Sequence, residues 1–365
     1  MDSHFMIRAL DKWLLPYLLQ HPRLPTEGQL RVFIVICDHF EPFHATDLKG
    51  ALSRMQLWQD EYPKLQHQLL KSTGLKIRHS FFYPIEQYHA EIIDRLADIC
   101  TRADCETEVH LHHHNDTAQH VRECLIEGKD RLAGHGLLSR SADGEIRYGF
   151  IHGNWALDHS DPSGKNCGVP NELGILRETG CYADFTMPSA PHGTQTRTVN
   201  SIYYGRDTPA AKSHDYGVAA SPQTAGLRQA LDHLLLIQGP LAINWRRRKW
   251  GLLPKIENAD LTGANPPTVD RFQLWKRQGI HVASQPRWIF VKLHTHGAIP
   301  ENSPTLLGSP MKTFVEGLRT LIDQSNGRLL VDFITARQAA NLVHAAEDGL
   351  GDDPSGRMDY LYRKS

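Results

Sequence analysis

The sequence has no long hydrophobic run. Its uninterrupted apolar stretches, such as residues 32–37 and 234–237, are short, whereas a helix that spans a bilayer needs about 20 apolar residues. The first 22 residues include Asp2, Asp11 and Lys12 and are not followed by a small-residue cleavage pattern. They therefore lack the anatomy of a secretory signal, and we expect a cytoplasmic protein.

An excess of either charge is also missing. The 40 Lys and Arg residues nearly balance the 41 Asp and Glu residues, so the formal net charge is −1. Such a balance supplies no overall field that would attract nucleic acid or an anionic membrane. We expect no nucleic-acid partner.

Several chemical signatures are absent. The six cysteines contain no C-x-x-C pair, which argues against a zinc ribbon and a thioredoxin-type motif and favours reduced thiols. The G-x-S-x-G, G-x-x-x-x-G-K-[ST] and H-E-x-x-H patterns are missing too. Serine hydrolase, P-loop NTPase and zincin functions therefore lack their usual sequence support.

What the chain does contain is an alternation of strand-like and helical segments. Residues 31–37 form a continuous β-branched run, typical of a parallel strand covered on both faces. Further candidate strands cover residues 76–83, 108–113, 145–152, 182–187, 240–245, 287–294 and 328–334. Strands that alternate with helices in this number predict an α/β barrel.

Helical periodicity appears at residues 86–102, 310–323 and 336–347. Ser309 and Pro310 suit the start of the second of these helices, and Thr335 with Gln338 has capping-box spacing before the third. Residues 188–238 show little obvious structure, which is typical of a functional lid or of a missed element.

These patterns predict one domain with terminal extensions. We expect an N-terminal helical extension over residues 1–30, the barrel over 31–347 and a flexible C-terminal tail over 348–365. Residues 6–19 place apolar side chains on one helical face, which suits either peripheral membrane contact or closure of the barrel bottom. The basic run 245–250 favours a solvated, membrane-facing or structural stretch, and a site for a phosphate-bearing substrate or nucleic acid is the alternative.

Histidine is abundant, with 22 residues, and four of them lie within positions 110–114. Strand alternation would send His110, His112 and His114 to one side. Three imidazoles are a common ligand set for catalytic zinc, and Asp116 follows at metal-ligand spacing. We therefore expect one divalent metal ion, with zinc favoured, although a stack of hydrogen-bonded polar residues in a loop is the alternative.

Other strand ends carry candidate catalytic groups. The first strand runs into Asp38, His39, Glu41 and His44, and a buried strand has no structural need for a carboxylate there; capping by Asp38 and a solvated Glu41 are the alternatives. The strand at 287–294 leads to His294 and His296, either of which could protonate a leaving group. A structural role, in which His294 satisfies a buried carbonyl, stays open.

The last group of candidates suits substrate binding. His152, Asn154, Trp155 and Asp158 follow the strand at 145–152, and Asp184 lies in the next one. A tryptophan can stack on the apolar face of a sugar while amide and carboxylate groups bind its hydroxyls. Trp155 in the core and Asp184 as a cap are the alternatives.

Taken together, an apolar first strand ending in aspartate, a histidine-rich third strand opening at Glu108 and a late strand ending in Leu-His resemble the polysaccharide deacetylases of the NodB-homology type. The resemblance covers roughly residues 31–335. It implies a distorted (β/α)7 barrel, a divalent metal held by an Asp and two His, an Asp base and a late-strand His acid. By position it matches Asp38 to the first-strand aspartate, His110 with His114 to the metal pair, and His294 to the acid.

The chain departs from that pattern in several places. Asp38 is followed by His39 rather than a second aspartate, so Glu41 is a candidate substitute, and Leu111 replaces the usual Ser or Thr. Alignment on Glu108 would instead select His112 and Asp116 as the metal pair. No R-x-P motif follows the fourth strand. These features indicate a divergent member of the glycoside hydrolase/deacetylase barrel superfamily.

The sequence thus predicts a metal-dependent hydrolase that removes an N- or O-acyl group from a carbohydrate or glycoconjugate. Asp38 or Glu41 would accept a proton from water, and His294 or His296 would deliver one to the leaving group. Two alternatives stay open. One is a glycoside hydrolase that pairs Asp38 or Glu41 with Asp158 or Asp184; the other is a non-catalytic carbohydrate-binding barrel.

Overall fold

The computed structural model of the protein describes residues 9–20, 24–249 and 252–364. Within these ranges the helices are α1 (Leu10–Leu19), α2 (Leu48–Thr73), α3 (Ala90–Ala103), α4 (Ala118–Gly134), α5 (Glu172–Glu178), α6 (Val269–Arg277), α7 (Ser303–Leu307), α8 (Ser309–Gln324) and α9 (Ala336–Glu347). The strands are β1 (Leu30–His39), β2 (His79–Pro84), β3 (Glu106–Leu111), β4 (Ser139–Ser141), β5 (Ile146–His152), β6 (Cys181–Asp184), β7 (Ile202–Arg206), β8 (Val218–Ala219), β9 (His233–Ile237), β10 (Ala242–Lys249), β11 (Leu253–Glu257), β12 (Asp260–Leu261), β13 (Trp288–Thr295), β14 (Leu329–Ile334) and β15 (Tyr362–Lys364).

The three helices expected from periodicity are confirmed as α3, α8 and α9. The Thr335–Gln338 capping box at the start of α9 is also present. At α8, Gly308 is the N-cap residue and Ser309 already belongs to the helix, with Pro310 in its first turn. The sequence analysis did not anticipate α2, which begins after the N-cap Asp47 and ends at Gly74, where φ is +72°.

One large sheet organises the molecule. Its strand order is β12-β13-β1-β2-β3-β5-β6-β9-β7-β8. Pairing is parallel from β12 to β9, whereas β7 and β8 are antiparallel additions. Strand β1 pairs with β13 along one edge, and β14 and β2 share its other edge. The carboxyl ends of β1, β3 and β13 therefore lie at the same end of the sheet.

The sequence predicts a closed (β/α)7 barrel, and the structure confirms this prediction only in part. The protein is a mixed α/β structure with a curled half-barrel sheet, and no ladder within the described residues joins β12 to β8. The end strands differ from those of a repeating βα barrel because β7 and β8 form an antiparallel pair. Helix α9 packs its alanines against Phe33 and Val35 on one face of the sheet.

The two faces of β1 contact different helices. Phe33 and Val35 belong to the apolar cluster that contains α9, whereas Ile34 and Ile36 belong to the cluster that contains α2. Successive side chains of a strand point to opposite faces. Because of this alternation, the side chain of Asp38 points to the opposite face of the sheet from the side chains of the residues before and after it.

One expected strand has a different partner. Residues 240–245 were predicted as a strand of the barrel, but β10 pairs with β11 in a two-stranded antiparallel sheet that is separate from the main sheet. The place beside β6 is taken by β9, which lies inside the segment 188–238 that looked poor in structure. The buried apolar run of β9 suits this central position better than the polar end of β10 does.

Helix α1 packs on the main body through Trp13, which is fully buried beside Val199 and Leu241. Its other side exposes Leu15, Leu18 and Leu19. Residues 6–8 of the amphipathic segment lie outside the described residues, and membrane contact by this segment stays a prediction. Within the described ranges, no helix combines the length and apolar character that crossing a bilayer would require.

The C-terminal segment, expected from its composition to be a flexible tail, contains a short strand. Residues Tyr362–Lys364 form β15, which pairs with β4. The buried Arg337 and Asn341 of α9 each donate hydrogen bonds to the backbone carbonyls of Met358 and Tyr362. These bonds give the tail fixed partners, which a Gly- and Asp-rich sequence does not reveal.

Candidate functional site

Histidines of β3 and of the segments that follow β1 and β3 surround one carboxylate. Oε1 of Glu41 lies 3.2 Å from Nε2 of His110 and 3.2 Å from Nε2 of His112. The second oxygen, Oε2, lies 3.6 Å from Nδ1 of His44. Glu41, His110 and His112 offer ligand atoms that all lie within 4.8 Å of one another. We call these three residues the Glu41 group.

Both histidines of the Glu41 group are oriented by a further hydrogen bond. Nδ1 of His110 lies 2.7 Å from the carbonyl oxygen of Ile151, and Nδ1 of His112 lies 2.7 Å from Oε1 of Glu86. Histidine ligands of metals usually donate their second ring N–H to a carbonyl or carboxylate in this way. The arrangement directs both Nε2 atoms at Glu41.

The carboxylate and the imidazoles of the Glu41 group stabilise each other's charged forms. Burial raises the pKa of Glu41, but the His110 and His112 rings lower it more, so that it stays well below its ordinary value. For His112, burial lowers the pKa, whereas the Glu41 and Glu86 carboxylates raise it, with a net rise to about 9. A negative Glu41 is therefore available to a cation as well as to protonated imidazole.

A cleft of about 350 Å³ opens above the Glu41 group. It is lined by His39, Glu41, His44, His112, Asn154, Trp155, His296, Ile299 and Asn302. The centroid of the His39 ring lies 4.7 Å from that of His296 and 5.0 Å from that of His110, and its buried Nε2 has no hydrogen-bond partner among the described residues. Burial lowers the pKa of both His39 and His296, which favours their neutral form.

Asp38 lies beneath this cleft and is not a member of the Glu41 group. Its Oδ1 accepts a hydrogen bond of 2.6 Å from the backbone N–H of Gly297, and Trp58 of α2 donates to the Gly297 carbonyl. The pKa of Asp38 is raised to about 7 because burial outweighs the Gly297 hydrogen bond. Strand alternation accounts for this position, since Asp38 faces α2.

The structure does not bring His114 and Asp116 to the Glu41 group. Strand β3 ends at Leu111, so its alternation does not extend to His114, whose Nε2 contacts the side chain of Asn115. Asp116 lies 2.7 Å from Nδ1 of His120. Neither metal pair considered from the spacing is formed as a pair; one member of each, His110 and His112, meets Glu41 instead.

The two histidines at the end of β13 differ in position. His296 lines the cleft. His294 is 5% exposed and does not line the cleft, and no residue in the described part of the chain hydrogen-bonds to its buried Nδ1. Burial, followed by the nearby Lys292, keeps the pKa of His294 well below its ordinary value.

Of the residues expected to bind substrate, Asn154 and Trp155 line the cleft. The carboxylates lie elsewhere: Asp158 is fully buried and accepts hydrogen bonds from Ser213, and Asp184 is 1% exposed and accepts from Thr186. These side chains satisfy backbone and hydroxyl groups of neighbouring loops. Their spacing in the sequence gives no indication of this difference.

His152 is directed away from the cleft into a second cluster of potential ligands. This cluster contains His113, His152, Cys167 and Glu172, whose ligand atoms also lie within 4.8 Å of one another. Sequence reasoning missed His113, Cys167 and Glu172 as a group. The only available signal was the run His112-His113-His114, whose middle member turns to the opposite side.

Comparisons with known proteins add a distant similarity of fold. No family model matches the chain, and no curated protein matches its sequence. A crystal structure from Mycobacterium smegmatis, of a protein provisionally assigned as a polysaccharide deacetylase, aligns over 89% of this chain and 94% of the other, with 14% identity and a TM-score of 0.43. A likeness at this level carries no information about chemistry.

Proposed function

We propose that the protein is a metal-dependent hydrolase that removes an acyl group from a nitrogen or oxygen of a carbohydrate. The observation that carries this proposal is the Glu41 group, a carboxylate and two oriented imidazoles at the floor of a cleft lined by three further histidines and a tryptophan. The contacts of these residues, rather than any relative, support the proposal.

The residues of the Glu41 group fit a divalent cation. In neutral imidazole one ring nitrogen carries the proton, and Nδ1 of His110 must carry it to donate to Ile151. The lone pair of Nε2 then faces Oε1 of Glu41 at 3.2 Å, where two acceptors without a cation or proton between them would repel. Three protein ligands of N and O type match a catalytic zinc site with one open position.

His110, His112 and Glu41 would hold the cation in the proposed enzyme. When bound, such a cation polarises the acyl carbonyl and makes a bound water more acidic. The protein's part is to keep Glu41 ionised and to direct both Nε2 atoms at the cation, which would displace the proton that Glu41 and Glu86 favour on His112. The hydrogen bonds from His110 to Ile151 and from His112 to Glu86 serve this purpose.

We assign proton transfer to His296. It lines the cleft, and burial favours its neutral form, so a ring nitrogen can accept a proton from water and return it to the leaving nitrogen or oxygen. Asp38 is a positioning residue in this scheme, because it anchors the N–H of Gly297, the residue next to His296. His294 lies behind them and is assigned a supporting role.

Trp155 and Asn154 form the proposed sugar contact. Both line the cleft, where an indole face and an amide suit the apolar face and the hydroxyl groups of a pyranose. The glycoside hydrolase alternative is less well supported, because Asp158 and Asp184 are buried and do not line the cleft beside Glu41.

The proposal is tested by metal analysis combined with an acyl-release assay. We expect purified protein to bind zinc and to release acetate from acetylated amino sugars or sugar esters, and a chelator to abolish release until zinc is restored. The Glu41→Gln variant should lose both the metal of this site and activity. Full metal occupancy without turnover on any acylated sugar would favour a non-catalytic binding protein, and chelator-resistant glycoside cleavage would favour the paired-carboxylate alternative.

A further inference from the structure

The structure assigns a second metal site to His113, His152, Cys167 and Glu172, distinct from the Glu41 group. We infer that it holds a zinc ion, or a similar thiolate-binding divalent cation, in a structural role. The four residues come from the end of β3, the end of β5, the loop after β5 and the first turn of α5. His152, Cys167 and Glu172 are each fully buried.

The ligand atoms lie at separations equal to or shorter than those of ligands around a bound zinc ion. Nε2 of His113 lies 2.8 Å from Nε2 of His152 and 3.0 Å from Oε1 of Glu172. Nε2 of His152 lies 3.3 Å from the same oxygen, and Sγ of Cys167 lies 3.6 Å from Oε2. Ligands placed tetrahedrally around zinc, at about 2.0 Å for N and O and 2.3 Å for S, are separated by roughly 3.3–3.7 Å.

The orientation of His152 directs its free ring nitrogen at the other ligands. Its Nδ1 lies 2.6 Å from the carbonyl oxygen of Gly153 and donates to it. Its Nε2 therefore faces Oε1 of Glu172 and Nε2 of His113. One carboxylate oxygen and two imidazole nitrogens thus meet at a position where a metal ion would bind all three atoms.

The surroundings of Cys167 suit a metal thiolate. The backbone N–H of Val169 donates to Sγ at 3.4 Å, a bond that metal binding would strengthen because a metal-bound sulfur is a thiolate. The N–H of Asp116 donates to the Cys167 carbonyl at 2.9 Å, which holds the cysteine loop against the segment that supplies His113. Because a thiolate and two imidazoles are soft or borderline ligands, this set selects zinc over magnesium or calcium.

The proposed metal site would join the two ends of the loop between β5 and α5. His152 precedes this loop and Glu172 follows it, while Asn154, Trp155, Asp158 and His159 within it have φ values of +52° to +54°. Such left-handed conformations are unfavourable for these residues and persist when surrounding structure holds them. Asn154 and Trp155 line the cleft, so on the proposed function the second metal would position the sugar contact. The metal assignment itself does not depend on that function.

Cobalt substitution tests the assignment on the intact protein. We expect the wild-type chain, loaded with Co²⁺ alone, to bind two ions and to show thiolate-to-cobalt charge-transfer absorption, because Cys167 belongs to one site and no cysteine belongs to the Glu41 group. X-ray absorption of the zinc-loaded protein should show a sulfur scatterer at about 2.3 Å. A wild-type protein that lacks both signals would overturn the assignment without any variant.

Three variants test whether Cys167 is the source of the charge-transfer band. Cys167→Ser should bind one Co²⁺ and lose the charge-transfer band, whereas Cys181→Ser, at an equally buried cysteine outside the cluster, should behave as wild type. Glu41→Gln should bind one ion and keep the band. A band that survives in Cys167→Ser, or disappears in Cys181→Ser, contradicts the assignment. If the wild-type protein shows the charge-transfer band but releases no acyl group from any substrate, that result counts against the proposed function alone.

Discussion

At the scale of single residues, the proposed chemistry depends on which side chains reach the cleft. Glu41, His112 and His296 line it, whereas Asp38, three positions before Glu41, and His294, two positions before His296, do not. Titration alone does not separate them, since burial lowers the pKa of both His294 and His296. Access to substrate therefore distinguishes the proposed proton carrier from its neighbour.

The substitution His296→Gln should lower kcat by roughly 10²–10⁴-fold, because it removes the group proposed to transfer the proton. Metal content should stay at the wild-type level, since His296 is not a member of the Glu41 group. Acetate release and elemental analysis of the same preparation check both expectations. His120→Gln, at a side chain that is 62% exposed, is the control. Unchanged kcat in the His296 variant would exclude it as the proton carrier.

The substitution Trp155→Ala should raise KM for the sugar substrate by roughly two- to tenfold, as expected for loss of an aromatic contact. The metal content should not change. Trp245→Ala provides a matched control, because Trp245 is 64% exposed and does not line this cleft. Steady-state kinetics on one acylated sugar suffice. Equal KM values for the two variants would remove Trp155 from the sugar contact.

At the scale of elements, a buried ion pair joins the β10–β11 hairpin to α6. Oε1 of Glu257, at the end of β11, accepts a hydrogen bond of 2.7 Å from Nη2 of Arg271, and each side chain is 1% exposed. Burial raises the pKa of Glu257, but Arg271 and Trp275 lower it to below the ordinary value. Removing one partner would leave the other charge buried without compensation.

Glu257→Gln should therefore lower the free energy of unfolding at pH 7 by about 3–5 kcal/mol. A lowered pKa means that the ionised form stabilises the fold above the unfolded pKa of about 4.3 and that this contribution is lost as pH falls through the folded value. The difference between variant and wild type should shrink below pH 4. Urea denaturation at several pH values measures it.

The exposed pair between Arg246 and Asp270 is the control for this experiment. Its side chains are 70% and 72% exposed, so Asp270→Asn should cost about 0–1 kcal/mol with little dependence on pH. A cost for Glu257→Gln as small as that of Asp270→Asn would show that the buried pair does not stabilise the contact between the hairpin and α6.

At the scale of the whole molecule, both candidate metal sites tie the end of β3 to other segments. The Glu41 group connects it to the residues after β1, and the second cluster connects it to β5 and α5. Metal that binds the folded chain alone stabilises it by about 4 kcal/mol when its free concentration is 1,000 times the Kd. Removal of the metal by a chelator should therefore lower the stability of the fold as well as stop activity.

We expect a chelator to lower the Tm of the wild-type protein by several degrees, and restored zinc to recover it. The single variants Glu41→Gln and Cys167→Ser should each keep part of this response, and the double variant should have none. Scanning calorimetry with and without chelator measures the shifts. A full response in the double variant would place the stabilising metal elsewhere in the protein.

The sequence predicted the secondary structure of the central sheet better than its closure. The apolar runs of β1, β13 and β14 and the capping box of α9 were recognised because their signals are local. The open edges of the sheet, the tail strand β15 and the place of β9 beside β6 depend on contacts between distant segments. The periodicity of a single segment carries no information about contacts with distant segments.

By itself, the sequence determined that imidazoles and a carboxylate would meet at strand ends, because parallel strands bring their carboxyl ends to one edge. Only the tertiary structure decided that Glu41, rather than Asp38, joins His110 and His112, and that His113 turns to His152, Cys167 and Glu172. The reason is geometric: the direction of a side chain alternates along a strand, but past Leu111 and His39 it depends on loop backbone that distant contacts hold in place.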